Sequence, residues 1–453
     1  DQNFEIIPIY ILDSLTPKEY QVGSAQKVWV SDSLKKLNLS LDKKLNIYLG
    51  EPIKILENII KENQVNTVLW NRCYEPWRID SDKTIKQKLK DSQINVKSFN
   101  GSLLWEPWEI LKSDSTPYKV FTPYYKKGCL GAQEPRYPKT KKLDLAKIKK
   151  IQKEGFDELI KKIDLVQDKK WQEDIYKFID AGESSARDKL KEFIANGVKN
   201  YKKGRDIPSE KSVSRLSAHL HFGEISPNQV WHAICELNQD TNTEHFLSEI
   251  GWREFSYYLL YHFPRLPEKN LQKKFDNFPW QNKQDNLTAW QKGETGYPII
   301  DAGMRQLYKT GYMHNRIRMV CASFLTKNLL THWKSGAQWF WDCLFDADLA
   351  SNSAGWQWVA GSGADAAPYF RIFNPVTQGE KFDPEGIYVK EFVPELKNLP
   401  KQYIHKPWEA PENILKEANI KLNENYPKPI IDLKLSRENA LLAYEKIKGA
   451  QNE

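Results

Sequence analysis

A chain of 453 residues exceeds one ordinary domain, so its length predicts two packed units that each bury a core. The net charge of +8 is compatible with a polyanionic partner without requiring one. Five scattered cysteines with no CxxC pair argue against a disulfide framework or a metal site, and no apolar run reaches the roughly 20 residues that span a bilayer. These features predict a soluble, cytoplasmic protein with reduced thiols.

Short β-rich runs alternate with helical stretches from Phe4 to about Cys129. The runs are FEIIPIYIL, LNIYLG, NTVLWN and INVKSF. This alternation predicts a Rossmann-like parallel sheet with helices on both faces, although no GxGxxG fingerprint for a dinucleotide follows any strand. Because the first residues look like the end of a helix-to-strand connection, we expect an opening strand to be missing, and a targeting segment ahead of it stays open.

Residues 130–170 are poor in aromatics and rich in lysine and proline, which is typical of a connector between domains. After Trp171 the strand signals nearly vanish, and amphipathic helical patterns continue to about residue 380. Ser226 and Pro227 predict the start of one helix, as its N-cap and first residue. The predicted fold class is an α/β N-terminal part followed by an all-α C-terminal part.

One predicted helix carries Glu249, Trp252 and Arg253, and the spacings of three and four residues from Glu249 place them on adjoining parts of one face. A carboxylate, an indole and a guanidinium can together line a cavity for a planar, partly anionic molecule. The alternative is an interior salt bridge beside a core tryptophan, and this segment alone favours that alternative.

The densest polar sequence lies between Tyr312 and Phe382, inside otherwise apolar helical patterns. Its polar side chains include Asn315, Arg318, Asp346, Asp348 and Asn352. Buried charges are costly unless they are paired, and a pair between Arg318 and Asp346 would satisfy both. Asp348 and Asn352 would then be free to bind the edge of a heterocycle.

Two further features leave alternatives open. The 16 tryptophans are mostly core material, yet a chain of them could carry single electrons if the ligand is redox-active. The segment from Tyr201 to Pro227 combines hydroxyls, a basic pair and a turn before a helix. Such a segment can cradle a phosphate or can be an ordinary polar loop.

Six motifs in chain order resemble the photolyase/cryptochrome flavoproteins, most closely the bacterial cyclobutane pyrimidine dimer (CPD) DNA photolyases. The motifs are SRLSAHLHFGEISP, WREF, WQKGETGYPIIDAGMRQL, MHNRIRM, DADLASNSAGWQW and GADAAPYFRIFNPVTQGEKFDP. The resemblance implies an antenna-binding domain at 1–129, a linker at 130–170 and a helical FAD-binding catalytic domain at 171–453. It also implies light-driven splitting of pyrimidine dimers in UV-damaged DNA by a monomeric carbon–carbon lyase.

The same resemblance implies a buried FAD, active as FADH⁻, and an antenna chromophore between the domains. The residues carried over as FAD contacts are Tyr201, Ser214, Leu216, Ser217, Arg253, Arg318, Asp346, Asp348 and Asn352. Asn352 would face the flavin N5, where an asparagine fits the repair enzymes of the family rather than its plant or animal cryptochromes. Methenyltetrahydrofolate is the expected antenna, beside the segment from Trp105 to Lys127.

The resemblance also assigns a lesion pocket, an electron path and a DNA-binding rim. The pocket residues, expected to be catalytic, are Glu249, Trp252, Asn315, Met319 and Trp358. The electron path would run through Trp356, Trp333 and Trp280, and the DNA backbone would contact Arg205, Arg316, Arg371 and Lys381. The lesion would be flipped out of the duplex, a property known for photolyases.

Two other functions remain as alternatives at this point. The main one is a cryptochrome-like blue-light photoreceptor without repair activity. The other is a light-independent nucleic-acid-binding module, which would keep the basic surface but would show no flavin absorption.

Overall fold

The computed structural model describes residues 4–139, 144–162, 165 and 170–449. Its first part contains strands β1 (Ile9–Asp13), β2 (Asn46–Gly50), β3 (Thr67–Asn71) and β4 (Asn95–Phe99), and helices α1 (Ser24–Ser40), α2 (Pro52–Asn63) and α3 (Pro76–Asp91). β1 pairs with β2 and β3 pairs with β4, both in parallel. α2 and α3 each begin with a proline, whose fixed φ suits the first helical position.

The two strand pairs share one apolar cluster, although no hydrogen bond joins the pairs in the part of the chain that the structure describes. Ile9 and Ile11 of β1 pack against this cluster together with Val68 and Trp70 of β3. Parallel strands covered by helices are the arrangement that the sequence predicts. The α/β class of this part is confirmed, with the strands divided into two pairs.

The remainder is helical, and residues 170–449 contain no β-strand. The helices are α4 (Phe121–Pro123), α5 (Phe156–Lys162), α6 (Lys170–Tyr176), α7 (Glu183–Glu192), α8 (Tyr201–Gly204), α9 (Ser217–His221), α10 (Pro227–Cys235), α11 (Thr241–His262), α12 (Gln284–Lys292), α13 (Pro298–Thr310), α14 (Asn315–Ser323), α15 (Trp333–Cys343), α16 (Leu349–Ala360), α17 (Pro375–Phe382), α18 (Ile387–Phe392), α19 (Glu412–Glu417) and α20 (Leu433–Gly449). None of the described helices is long and apolar enough to cross a bilayer.

α10 begins where the sequence predicts. Ser226 Oγ accepts a hydrogen bond of 3.1 Å from the Gln229 backbone N–H, and Gln229 Oε1 accepts one of 2.9 Å from the Ser226 backbone N–H. This reciprocal cap satisfies two donors that would otherwise have no partner at the helix start. The helical class of the second part is confirmed.

Three capped helices converge on the candidate site. Asp240 caps α11 by accepting from the backbone N–H groups of Asn242 and Thr243. His314 caps α14 through Nδ1, and Asp348 caps α16 by accepting from the Ser351 N–H at 2.7 Å. Because each cap fixes where its helix begins, the side chains of the first turns are held in place.

A buried carboxylate joins the α/β part to α11. Glu254 Oε2 accepts hydrogen bonds from the backbone N–H groups of Leu104 at 2.8 Å and Trp105 at 3.4 Å, and its Oε1 accepts from Arg253 at 3.2 Å. Burial raises the pKa of Glu254 to about 7, against the opposing effect of Arg253 and the two N–H groups. The segment after β4 is thereby fixed against the helix that presents Glu249, Trp252 and Arg253.

Candidate functional site

A cavity of about 820 Å³ lies between α8, α9, α11, α14 and α16. The predicted cofactor residues that line it are Tyr201, Ser214, Leu216, Ser217, Arg253, Arg318, Asp346 and Asp348. The predicted lesion residues that line it are Glu249, Trp252, Asn315, Met319 and Trp358. Residues that are far apart in sequence therefore share one cavity, open to solvent on one side, whose size suits a large organic ligand.

A left-handed residue shapes the cavity wall ahead of α9. Arg215 has φ of 53°, and its guanidinium lies 4.4 Å from the ring centroid of Tyr312. This conformation is uncommon for a residue with a side chain and makes a sharp turn in the backbone. The turn lets Ser214 and Ser217, on either side of it, both line the cavity.

The pair of Arg318 and Asp346 forms as the sequence predicts. Arg318 Nη2 donates to Asp346 Oδ1 at 3.0 Å and to Oδ2 at 2.9 Å, while its Nε donates to the Met313 carbonyl at 2.7 Å. Both charges are thus compensated on the cavity wall, and the guanidinium retains N–H groups that could meet a ligand.

Asp348 is held as a carboxylate by neighbouring donors. Its Oδ2 accepts from the Tyr257 hydroxyl and lies 3.4 Å from His221 Nδ1. Burial would raise the pKa of Asp348, but the His221 side chain beside it, the Tyr257 hydroxyl and the Ser351 N–H outweigh burial and hold that pKa well below its usual range. The cavity therefore presents a fixed anionic acceptor.

Arg253 has hydrogen-bonding capacity that its protein neighbours leave unused. Its Nη1 donates to the Ser102 carbonyl at 2.8 Å and to Glu254, whereas its Nη2 is buried and has no hydrogen-bond partner among residues 4–139, 144–162, 165 and 170–449. A buried guanidinium N–H without an acceptor is costly, so a ligand rich in acceptors would stabilise it.

At the edge of the cavity, Arg205 donates hydrogen bonds to Glu249 and, at 3.0 Å, to His245 Nε2. Arg316 donates to Asp206 Oδ1 at 2.8 Å. Both arginines line the cavity, and each is bound to a carboxylate of the protein. Their positive charges are therefore partly compensated before any polyanion arrives.

The other two predicted DNA contacts, Arg371 and Lys381, are exposed and do not line the cavity. Lys381 Nζ lies 5.0 Å from the centroid of Phe382, and the Arg316 guanidinium lies 4.5 Å from the same ring. One aromatic ring therefore orients two cationic side chains, one at the cavity and one outside it.

Asn352 is the one predicted cofactor residue that does not line the cavity. Its Nδ2 donates to the Ala337 carbonyl of α15 at 3.0 Å. Because this bond uses one N–H of the amide, the second N–H and the amide oxygen are left for a ligand.

The three tryptophans of the predicted electron path differ in their exposure. Trp356 and Trp333 are buried, and Trp280 is half-buried. The ring of His332 is close to both Trp333 and Trp280, with its centroid 5.6 Å from Trp333 and 5.1 Å from Trp280. Burial lowers the pKa of His332 to about 4, so this ring is neutral at neutral pH.

Sequence reasoning missed His221, His245, Tyr257 and His332. His221 and Tyr257 contact Asp348, and His245 contacts Arg205. The HLHF stretch of the SRLSAHLHFGEISP motif contains His221 and could have drawn attention to it. No local spacing, however, reveals a partner that lies on another helix.

Two family models match the chain. One, described as the FAD binding domain of DNA photolyase, matches residues 246–446, and the other, described as DNA photolyase, matches residues 1–141. A deoxyribodipyrimidine photo-lyase of Agrobacterium fabrum is 46% identical over 98% of this chain and 92% of its own length. The chain belongs to the photolyase/cryptochrome family.

Members of both branches of this family are similar to the chain. Cryptochrome-2 of Arabidopsis thaliana is 36% identical over 98% of this chain and 75% of its own length. The crystal structure of a bacterial class III photolyase from Agrobacterium tumefaciens superimposes with a TM-score of 0.91 at 46% identity, covering 98% of this chain and 92% of that one. These matches confirm the predicted fold class and FAD as the cofactor of this photolyase/cryptochrome family member.

The residues present fit FAD. The Arg253 Nη2 without a partner and the seryl hydroxyls of Ser214 and Ser217 suit a ligand with many acceptors. The fixed carboxylate of Asp348 suits a heterocyclic N–H, and the volume of about 820 Å³ lies in the range of cavities that bind cofactors.

Proposed function

We propose that this protein repairs DNA by splitting cyclobutane pyrimidine dimers in light. The supporting observation is that one cavity is lined by all five proposed lesion residues and by every proposed flavin residue except Asn352. The identity of 46% to a deoxyribodipyrimidine photo-lyase over nearly the whole chain favours the same reaction.

When bound as FADH⁻, FAD would lend the dimer one electron in light and regain it after cleavage, so the reaction would have no net redox change. Arg318, Asp346, Asp348 and Arg253 would hold the cofactor through the donors and acceptors described above.

Glu249 would orient the flipped dimer by accepting a base N–H. A carboxylate alone would repel the negative charge that the dimer carries after it has gained an electron. Arg205, which is bound to Glu249, compensates that charge. The pair therefore provides an acceptor for binding without a net negative field, which is electrostatic stabilisation aimed at the reacting state.

Trp252 and Trp358 would form apolar walls against the two bases, with Met319 and Asn315 of α14 between them and the flavin residues. The Trp252 ring is stacked on Phe121, with centroids 3.8 Å apart and planes 12° apart. This stacking fixes the orientation of the indole before substrate arrives, so less entropy is lost on binding. Trp356, Trp333 and Trp280 would pass electrons to an oxidised flavin.

The DNA backbone would contact the cationic rim. Arg316 and Lys381 are both oriented by Phe382, and Arg371 is exposed nearby in sequence. Such phosphate contacts position the duplex without reading its sequence, while the lesion is recognised inside the cavity.

For the antenna we propose methenyltetrahydrofolate beside the segment from Trp105 to Lys127, within the proposed domain at 1–129. The supporting feature is Trp108, which is exposed, with the Arg72 guanidinium 5.7 Å from its ring centroid. An exposed indole beside a cation suits a planar, anionic chromophore. The proposed catalytic domain covers 171–453, after a linker at 130–170.

The test is to irradiate the fully reduced holoprotein with an oligonucleotide that contains one thymine dimer and to follow the repaired product by chromatography. Repair that requires light is expected, and a dark sample is the control. A holoprotein whose flavin is photoreduced but which repairs nothing would favour the second candidate, a blue-light photoreceptor, which the 36% identity to cryptochrome-2 supports.

A further inference from the structure

α1 of the α/β part reaches the cavity wall through one side chain. Gln26 is 2% exposed, and its Nε2 donates to the Ala347 carbonyl at 2.6 Å and to His221 Nε2 at 3.2 Å. Its Oε1 accepts from the Gly23 backbone N–H at 3.2 Å. Ala347 lies between the two aspartates of the cavity in sequence, so Gln26 contacts the backbone that presents both of them.

These partners determine the orientation of the Gln26 amide. A backbone N–H faces one end and a carbonyl oxygen faces the other, so the amide oxygen must face Gly23 and the nitrogen must face Ala347. The nitrogen that also faces His221 can only donate. His221 Nε2 must therefore accept, which places the ring proton on Nδ1.

The proton on Nδ1 is close to Asp348, because His221 Nδ1 lies 3.4 Å from Asp348 Oδ2, an electrostatic contact without hydrogen-bond geometry. The other tautomer would bring two acceptors together at this point. Tyr257 donates to the same carboxylate oxygen. The tautomer fixed by Gln26 thus decides whether His221 presents a proton or a lone pair to Asp348.

We propose that Gln26 is a positioning residue of the FAD site, which sets the His221 tautomer and thereby keeps Asp348 an ionised acceptor for the flavin ring. The inference rests on the proposed contact of Asp348 with the flavin, within the proposed function. The α/β part then contributes to the chemistry of the cofactor site in the helical part and does more than cover it.

Another residue of α1 provides a matched control. Lys36 Nζ donates to the Ala181 carbonyl at 2.7 Å and so also joins α1 to the helical part. It contacts neither His221 nor Asp348 in the described structure. Lys36→Met therefore removes a contact between α1 and the helical part but leaves the contacts of Gln26, His221 and Asp348 in place.

The first measurement is the tautomer of His221 in the oxidised holoprotein in the dark, by nitrogen-15 NMR with labelled histidine and assignment through His221→Phe. A protonated Nδ1 and an unprotonated Nε2 are expected. Gln26→Glu presents a carboxylate that can only accept, so a proton should appear on Nε2. A wild-type His221 with its proton on Nε2 alone overturns the proposal, whether or not any variant folds.

The second measurement is the rate of FAD release from diluted holoprotein, followed by the recovery of flavin fluorescence. Gln26→Leu should release FAD about tenfold faster. This is the size of effect expected when one hydrogen bond between the protein and FAD is lost. Lys36→Met should stay within about twofold of wild type on the same scale. Equal acceleration by both variants, or none by Gln26→Leu, overturns the proposal.

Neither measurement involves DNA or repair. A protein that repairs no dimers would still report the tautomer and the FAD release, so failure of the proposed repair function is separate from failure of this inference.

Discussion

The indole of Trp356 lies directly against Gly336, so closely that a Cβ at position 336 would overlap the ring. Gly336 is on α15 and Trp356 is on α16, so the absence of a side chain on one helix allows a buried tryptophan on the other. The close approach explains the glycine inside α15, where it otherwise costs stability.

Gly336→Ala should therefore displace Trp356. Overpacking of this kind costs about 1–3 kcal/mol, which thermal unfolding would detect. Photoreduction of the oxidised flavin, followed by absorbance under blue light with an external reductant, should slow because the first member of the proposed path has moved. Gly155→Ala is the control, since a Cβ at position 155 meets nothing within 4 Å. An unchanged photoreduction rate in a destabilised Gly336→Ala would exclude Trp356 from the path.

Substitutions of the proposed lesion residues and of the proposed flavin residues should have different effects. Met319→Ala and Asn315→His should lower the yield of repair while the purified protein keeps its flavin, because both side chains are assigned to the lesion. Asp348→Ala should instead lose FAD, because it removes the fixed acceptor and the cap of α16. The ratio of flavin to protein absorbance and a repair assay measure the two effects. If Met319→Ala and Asn315→His lost FAD while Asp348→Ala kept it and lost only repair, the two sets of residues would be assigned the wrong way round.

Binding of dimer-containing DNA should depend strongly on salt. Raising salt from about 50 to 200 mM should weaken it by at least about tenfold, because phosphate contacts release counterions. Arg371→Ala should reduce the slope of log affinity against log salt by about one, as expected for one lost phosphate contact. Lys54→Ala, an exposed lysine on α2, is the charge-matched control. An unchanged slope in Arg371→Ala would place Arg371 outside the DNA interface.

Lys327 should make stability depend on pH. It is 1% exposed, its Nζ donates to the Arg371 carbonyl at 3.1 Å, and burial together with the Arg371 charge lowers its pKa to about 7. Between about pH 7 and the ordinary lysine pKa near 10.4, the unfolded chain binds more protons than the folded chain, so stability should rise with pH in this window.

Lys327→Met should remove that rise and should be most stabilising, relative to wild type, near pH 6, where the folded protein must otherwise bury a charged amine. Denaturant unfolding between pH 6 and 10 measures the effect, with the exposed Lys309→Met as control. A wild-type protein whose stability is flat from pH 7 to 10, and is unchanged by Lys327→Met, would contradict the prediction.

Local sequence chemistry accounts for the parts that were predictable. Ser226 caps α10 because the cap, the proline after it and the periodic apolar residues all lie within one short stretch. The pair of Arg318 and Asp346 was predictable because two buried charges in one apolar region must compensate each other. The positions that line the cavity followed from the family motifs.

The features of the site that the sequence did not predict depend on contacts between elements that are distant in sequence. Nothing near Arg205 indicates that its guanidinium binds Glu249, and nothing near Asn352 indicates that its amide donates to α15. Helix packing likewise decides that His332 is close to two tryptophans and that Gln26 contacts His221. Periodicity predicts which face of an element is buried but not which partner it meets.

The stacking of Trp252 on Phe121 has a consequence for chimeric proteins made by exchanging segments between relatives. Phe121 follows β4, whereas Trp252 lies on α11, and the Phe121 N–H donates to Asp365 Oδ2 at 3.1 Å. A graft that transfers only the helical part would place the transferred indole on a foreign ring. A chimera should therefore acquire the substrate preference of the donor protein only when residues 121–125 and α11 are both taken from that donor. The two separate stretches have to be exchanged together.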